Sequence, residues 1–298
     1  MIKLLKKLMN NKNIDGYIIP KNDQFFSEYS FPNRLKLISN FSGSAGLAII
    51  LKNKNFLFVD GRYTLQANRQ SGKNFQIITF PKIMPKNVFK DKKILIGIDP
   101  KLFTKKTLEI FFKGKNFKFK PLNLNLIDEI WKRNIFKKKN NFYSLPNKDV
   151  GSNYISKINR VVSNLKSKGA DIQFISSSEN NAWLLNIRGN DAKYTPIPHS
   201  YILIDRYKNI KLFCDLKKIP LSLKRYLKKI NFVEIKLIDK SLLKIKKKKF
   251  IIDKDTCSIY FEDIIAKNNA SWIFVRCDHF FDVILERSDH FFISFFIV

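Results

Sequence analysis

Cysteine is scarce: Cys214, Cys257 and Cys277 are the only three in 298 residues, with no CxxC spacing. An odd, unspaced set does not make a disulfide framework and fits a reducing compartment, so the cytoplasm is expected. Histidine is as rare, at His199, His279 and His290. Serine or cysteine nucleophilic catalysis would have to recruit one of these three. A two-metal hydrolase needs several carboxylate and imidazole ligands around one cavity, and the sequence has no HExxH and no Asp/His run spaced for such a site. Cys277, Asp278 and His279 are adjacent, and neighbours on a strand point to opposite faces, so they would not share an ion. No apolar run approaches the roughly 20 residues of a membrane span. FFISFFIV at the end is too short, and the opening MIKLLKKLMN lacks the continuous apolar stretch of a signal peptide. No membrane partner is expected.

Acid is the other shortage. Twenty-five Asp and Glu stand against 56 Lys and Arg, a net charge of +31. Such a surplus can serve a polyanion partner. Here the lysines are spread along the whole chain up to Lys267 and not gathered in one arm, and Asn, Ile and Phe, which like Lys have A/T-rich codons, are also over-used. Compositional drift is therefore preferred to nucleic-acid binding, and KIKKKK at 244–249 is read as a solvated turn before a strand.

What the chain does have is a repeat. LLKKLMNNK reads as an amphipathic helix with Leu4, Leu5 and Leu8 on one face, DGYIIP as a buried strand, and NDQFFSEY as a short helix capped by Asn22 or Asp23. In the second half SNYISKINRVVSNLKSKG puts Ile155, Ile158, Val162 and Leu165 on one face and stops at Gly169. ADIQFIS then supplies the strand and SSENNAWLLNIRG the short helix. GLAIILKNKNFLFVD and HSYILIDRYKNIKLFCD are both strand pairs around a polar turn. KKILIGIDPKLFTKKTLEIFFK and KKKFIIDKDTCSIYFEDIIAK both run basic turn, strand, loop, helix. A period of about 150 residues means two similar domains, each an α/β layer on a mixed sheet. The expected boundaries are 1–137 for the first domain, 138–150 for a polar, basic linker with Pro146, 151–275 for the second domain, and 276–298 for an atypical tail.

Three stretches are candidates for chemistry. GSAG, residues 43–46, lacks the Gly-Lys-Ser/Thr ending of a phosphate loop, the third glycine of GxGxxG and the spacing of a nucleophile elbow. Its glycines are expected to give a tight strand entry through positive φ. In DGRY, residues 60–63, Asp60 can cap the helix that follows. Arg62 and Tyr63 can either face a substrate carboxylate or make a local salt link and packing contact, the local role being preferred. In WLLNIRGNDAKYTPIPHSYILI, residues 183–204, Arg188 to Asp191 is a turn, Pro196 and Pro198 fix an extended approach to the next strand, and His199 is expected to be structural.

YIIPKNDQFFSEY, RLKLISNFSGSAGLAII, FVDGRYTLQA and WLLNIRGNDAKYTPIPHSYILI together resemble the two N-terminal, creatinase-N-type domains of the Xaa-Pro aminopeptidase (aminopeptidase P) family, over roughly residues 1–270. The resemblance implies a hydrolase family that removes an N-terminal residue before proline, in the cytosol. It implies a third, pita-bread domain that holds two divalent ions, commonly manganese, through two Asp, one His and two Glu. That domain would begin near the end of this chain. No residue here matches a family metal ligand, so no catalytic or metal-binding residue and no cofactor is assigned to this chain. The resemblance further implies that these domains shape the active-site entrance and take part in subunit contacts, which makes Arg62, Tyr63 and Arg188 rim residues. A homo-oligomer, or association with an intact homologue or a separate catalytic domain, is the expected partnership, with peptide substrate bound only when complemented. The last departure is DHFFDVILERSDHFFISFFIV, lysine-free and rich in Phe, where the family turns polar. A frameshift near residues 272–278 and a truncated, inactive aminopeptidase are the expectation that follows.

Overall fold

The computed structural model describes residues 1–27, 32–89, 94–114, 117–131, 140–192, 194–269 and 272–275. These fall into two compact units. The first holds residues 1–23 and 32–131, and the second holds the rest, including the short stretch 24–27.

The first unit is a six-stranded mixed sheet. Its elements are α1 (Ile2–Asn11), β1 (Gly16–Pro20), α2 (Arg34–Ser39), β2 (Gly46–Leu51), β3 (Asn55–Asp60), α3 (Thr64–Ser71), β4 (Gln76–Phe80), β5 (Ile94–Ile98), α4 (Lys105–Phe112), β6 (Phe117–Pro121) and α5 (Leu126–Ile130). The strand order is β4-β3-β2-β1-β5-β6. The second unit contains β7 (Tyr143–Ser144), α6 (Tyr154–Ser167), β8 (Ile172–Ile175), α7 (Ser178–Leu185), β9 (Ile187–Arg188), β10 (Tyr201–Asp205), β11 (Ile210–Cys214), α8 (Leu221–Tyr226), β12 (Asn231–Glu234), α9 (Ile238–Lys244), β13 (Phe250–Asp253), α10 (Ile259–Asn268) and β14 (Trp272–Val275). Its main sheet runs β12-β11-β10-β8-β13-β14, and β7 pairs with β9.

The two sheets share one topology. In each, the first strand pairs antiparallel with a hairpin strand and parallel with the strand after the crossover: β1 with β2 and β5, β8 with β10 and β13. The hairpins β2/β3 and β10/β11 are antiparallel, and the outer pairs β3/β4, β11/β12, β5/β6 and β13/β14 are all parallel. The repeat legible in the sequence is thus a repeat of strand order and direction. Both sheets are covered on two faces, which is why their central strands read as unbroken apolar runs rather than alternating ones. In the second unit Ile175, Ile202, Ile204, Leu212, Cys214 and Ile251 pack with residues of α6, α7 and α8. Their strand neighbours Phe174, Tyr201, Leu203, Phe213, Phe250 and Ile252 pack with α9 and α10.

Helix faces differ from the sequence reading in detail. Leu5 and Met9 are buried in α1 while Leu4 is 55% exposed, so the buried stripe runs one residue later. Ile155 is likewise exposed, and Tyr154, Ile158, Val161, Val162 and Leu165 form the inner face of α6. α6 stops as expected. Gly169 takes φ 57, the Gly169 amide donates to the Lys166 carbonyl, and the Ala170 amide donates to Leu165. That double bond is a Schellman termination, and the left-handed residue favours glycine. Residues 22–27 form turns, not the expected short helix, because Phe26 sits at φ 59. Phe25 instead stacks on His199 at 4.2 Å and on Tyr201 at 5.0 Å in the second unit. Within the segment read as a linker, Phe142 is fully buried and Tyr143–Ser144 pair with Arg188 and Ile187. The tail 276–298, with Cys277, Asp278, His279 and His290, lies outside the described residues.

Candidate functional site

The GSAG loop and the DGRY turn meet in the first unit. Asp60, the last residue of β3, accepts the Arg62 amide at 2.9 Å. Its two oxygens also take the Arg62 guanidinium in a fork, Nε at 2.9 Å and Nη2 at 3.1 Å. Bonding to Arg62 holds the Asp60 carboxyl below the usual carboxylate range. Arg62 therefore makes the local link, with a side chain that stays 60% exposed. Tyr63 lies beside it, its ring centroid 5.8 Å from Arg62 Cζ. Its hydroxyl and the Ser44 hydroxyl are 2.8 Å apart, and its ring meets Phe41 edge-on at 5.9 Å.

One turn into α3, Gln66 and Gln70 grip Ser42. Gln66 Nε2 donates to the Ser42 hydroxyl at 2.8 Å, and the Ser42 amide donates to Gln70 Oε1 at 2.9 Å. The DGRY-x-x-Q spacing thus matches two hydroxyls of the loop, Ser44 to Tyr63 and Ser42 to Gln66. Gln66 and Gln70 were not singled out in the sequence, because glutamine on a helix face carries no pattern of its own. The glycines act otherwise than expected. Neither Gly43 nor Gly46 has a left-handed φ. A Cβ on Gly43 would lie 2.2 Å from the buried Phe41 ring, and one on Gly46 would be 3.0 Å from Leu35 and 3.2 Å from the Phe58 carbonyl. Close approach, not positive φ, demands glycine here. The stretch is a strand entry wrapped around an aromatic ring.

The WLLNIRGND stretch lies in the second unit. α7 ends at Asn186, which is 2% exposed and takes φ 53 and ψ 39. Its side chain ties two segments together, donating to the Ser152 carbonyl at 3.0 Å and accepting from Lys157 Nζ at 2.5 Å. Lys157, on the inner face of α6 and 5% exposed, also donates to the Trp183 carbonyl at 2.7 Å and lies 4.2 Å over the Trp183 ring. A buried cation thus caps the carbonyl end of α7, where the helix dipole favours positive charge. Arg188 Nη1 donates to the carbonyls of Ala182, at 3.3 Å, and Ile187, at 2.9 Å. Gly189 leaves room for Phe142 and Pro198, each 2.9 Å from a built Cβ. Asp191 accepts the His199 amide at 2.8 Å and the Lys218 ammonium. Asn181, in the middle of α7, donates to the Ser200 carbonyl at 2.7 Å.

Arg62 and Tyr63 therefore sit side by side in one unit, and Arg188 belongs to the other. Tyr63 and Arg188 both make internal contacts. Lys157 was missed, although a lysine at the centre of a stripe formed by Tyr154, Ile158 and Val161 is an out-of-pattern residue that could have been flagged.

Burial first, then Arg160 and Arg188, push the Lys157 amine down to about 8 from 10.5. The sign of its contribution follows. Between about pH 8 and 10.5 the unfolded chain still holds this proton and the folded chain has released it, so rising pH favours the folded state. Lys157→Met removes that term and leaves the Trp183 carbonyl without its cap, at a cost of roughly 1–2 kcal/mol. Urea midpoints of wild type and variant should separate further at pH 9.5 than at pH 7. A pH-independent separation would mean that Lys157 titrates normally.

No group of three or more His, Cys, Asp and Glu among the described residues could hold a metal ion. The one histidine among them, His199, stacks on Phe25 at 4.2 Å.

Comparison with known proteins follows the same division. Two family models described as the creatinase/prolidase N-terminal domain match, one over residues 1–124 and the other over 135–275. The chain is 31% identical over 241 residues to Xaa-Pro aminopeptidase 1 of Dictyostelium discoideum, covering 73% of this chain and 38% of that protein. It is 30% identical over 285 residues to the probable Xaa-Pro aminopeptidase P of Laccaria bicolor, covering 89% and 44%. It thus spans about two fifths of the length of these relatives. The crystal structure of X-prolyl aminopeptidase from Caenorhabditis elegans, described as a cytosolic enzyme with a di-nuclear active site, superposes with a TM-score of 0.82 at 22% identity. That match covers 91% of this chain and 49% of the worm enzyme, and shares its fold. With two creatinase/prolidase N-terminal domains in tandem and relatives at 30% identity across most of its length, the chain belongs to the Xaa-Pro aminopeptidase family by its N-terminal domains.

Proposed function

We propose that this chain supplies the non-catalytic, substrate-admitting part of an Xaa-Pro aminopeptidase and does not hydrolyse peptides by itself. The observation that carries the reading is the pairing of coverage with motif use. Most of the chain aligns, yet it reaches only 38–44% of the two relatives. Within it, the residues of GSAG, DGRY and WLLNIRGND hold the scaffold. Among the described residues no three His, Cys, Asp or Glu side chains come together in a way that could hold a divalent ion. Of the three rim residues, Arg62 is the one we place at the substrate entrance, because most of its side chain remains exposed. Cytoplasmic location and association with a catalytic partner or a second copy belong to the same reading. Among the described residues no helix is long and apolar enough to cross a membrane.

The test is release of the first residue from an Xaa-Pro peptide by the purified chain with manganese added. The expected result is no turnover above the metal-only background, and turnover would overturn the reading. Adding a catalytic domain in trans should give turnover that Arg62→Ala weakens through KM. A loss confined to kcat would remove Arg62 from the entrance.

A further inference from the structure

Lys157 is one of two lysines that are buried among the described residues, the other being Lys21. A buried cation is ordinarily matched by a carboxylate. Lys157 has none: its ammonium meets the Trp183 carbonyl, Asn186 Oδ1 and the face of the Trp183 ring. Two arginines belong to the same network. Arg188 Nη1 donates to the Ala182 carbonyl, next along α7 to the carbonyl that Lys157 takes. Arg160 Nη2 donates to Ser152 Oγ at 3.2 Å, the Ser152 carbonyl accepts Asn186 Nδ2, and Asn186 Oδ1 faces Lys157. One run of hydrogen bonds therefore joins Arg160 to Lys157, and Arg188 closes on the neighbouring carbonyl of α7.

None of these three cations has an ion pair among the described residues. The charges that act on Lys157 are those of Arg160 and Arg188, and both repel it. A basic composition does not account for the arrangement, because it adds lysines where water solvates them, and Lys157 lies inside. The carbonyl end of α7 offers about half a negative charge, which leaves the three cations with a surplus of roughly two and a half positive charges. Away from open water that surplus is less screened than on the surface. No acid of the described chain supplies the counter-charge, so it must come from solvent. Arg160 and Arg188 are half-buried and within reach of solvent, and each guanidinium carries more N–H groups than its bonds here use. Their planar forks match the oxygens of an oxyanion, and Lys157 adds charge that a single carboxylate would not balance.

We propose that Lys157, Arg160 and Arg188 form a binding site for a small, doubly charged oxyanion at the carbonyl end of α7. The probe is sulfate, titrated into the full chain by calorimetry at neutral pH, with chloride adjusted to hold the ionic strength constant. Saturable binding of one sulfate per chain is expected. Arg160→Gln and Lys157→Met should each weaken it about tenfold, the worth of one hydrogen bond to a charged group. Arg160 is half-buried and gives up one bond to Ser152, so Arg160→Gln carries the test alone if Lys157→Met fails to fold, as judged by its thermal melt. A control that removes two exposed lysines of the same unit, Lys224→Gln with Lys228→Gln, should bind as wild type does. The proposal is overturned by the absence of saturable binding, by Arg160→Gln binding as tightly as wild type, or by an equal loss in the control, which would put the ion elsewhere on a basic surface. Acetate binding as tightly as sulfate would also overturn it, because one negative charge would then suffice.

Discussion

Asn186→Leu is expected to cost the second unit about 2.5–5 kcal/mol, the largest effect of any substitution considered for this protein. Two terms add. The Lys157 ammonium loses the Asn186 carbonyl oxygen at 2.5 Å inside a region where neither residue is more than 5% exposed. A hydrogen bond to a charged group contributes about 1.5–3 kcal/mol, and water cannot readily replace the missing acceptor. The backbone adds its own cost, because Asn186 sits at φ 53 and a residue with a bulky Cβ pays about 1–2 kcal/mol there. Asn186→Gly separates the two, since it keeps the left-handed turn and loses only the side chain. Urea unfolding should rank wild type above Asn186→Gly and Asn186→Gly above Asn186→Leu. Equal costs for the two variants would remove the backbone term. A cost below about 1 kcal/mol for both would show that Lys157 finds other acceptors.

Gly43→Val is expected to destabilise the first unit by about 3 kcal/mol, at the upper end of overpacking costs. Even a single Cβ at this position would be 2.2 Å from Phe41 Cζ. Phe41 cannot swing aside, because it is fully buried against Tyr63 and the rest of the core. The rescue is specific: Phe41→Leu shortens the ring that clashes, so the double variant should be less destabilised than the sum of the two single changes. Simple additivity in thermal or urea unfolding would mean that the loop relaxes by some other movement. Were GSAG a phosphate-binding loop, Gly43→Val would instead leave stability nearly untouched and abolish ligand binding. The two readings of the loop therefore separate in one measurement.

The order of elements was legible because period and punctuation were strong. GYIIP, GLAIIL and NFLFVD are short apolar runs bounded by turn residues, and each became a strand. Gly169 announced the end of α6 through a backbone need that local chemistry dictates. Errors arose where a contact distant in sequence decided. Leu4 and Ile155 are apolar on amphipathic helices, yet both face outward, since helical periodicity leaves the edge of a stripe uncertain by one residue. Residues 22–27 looked helical until Phe25 found His199 and Tyr201, about 175 residues away. Gly43 is needed for close approach and not for its φ, and the sequence does not show that the Phe41 ring folds back over it.

The candidate residues divide in the same way. Asp60 caps the 3-10 turn Gly61–Tyr63 and not α3 as expected, since α3 starts from Tyr63 without a side-chain cap, whereas Arg62 closing on Asp60 is a contact only two residues long. Tyr63 meeting Ser44, and Arg188 holding the end of α7, needed the hairpin and the helix to be in place first. The sequence on its own determined two α/β domains in tandem, their strands, and the family to which they belong, because short-range periodicity, turn chemistry and motif spacing are written along the chain. Only the tertiary structure decided what the motif residues do. Burial and hydrogen bonding between segments far apart in sequence turned Lys157 into a helix cap, Asn186 into a clamp and GSAG into a strand entry packed on an aromatic ring, and no linear pattern records those distances.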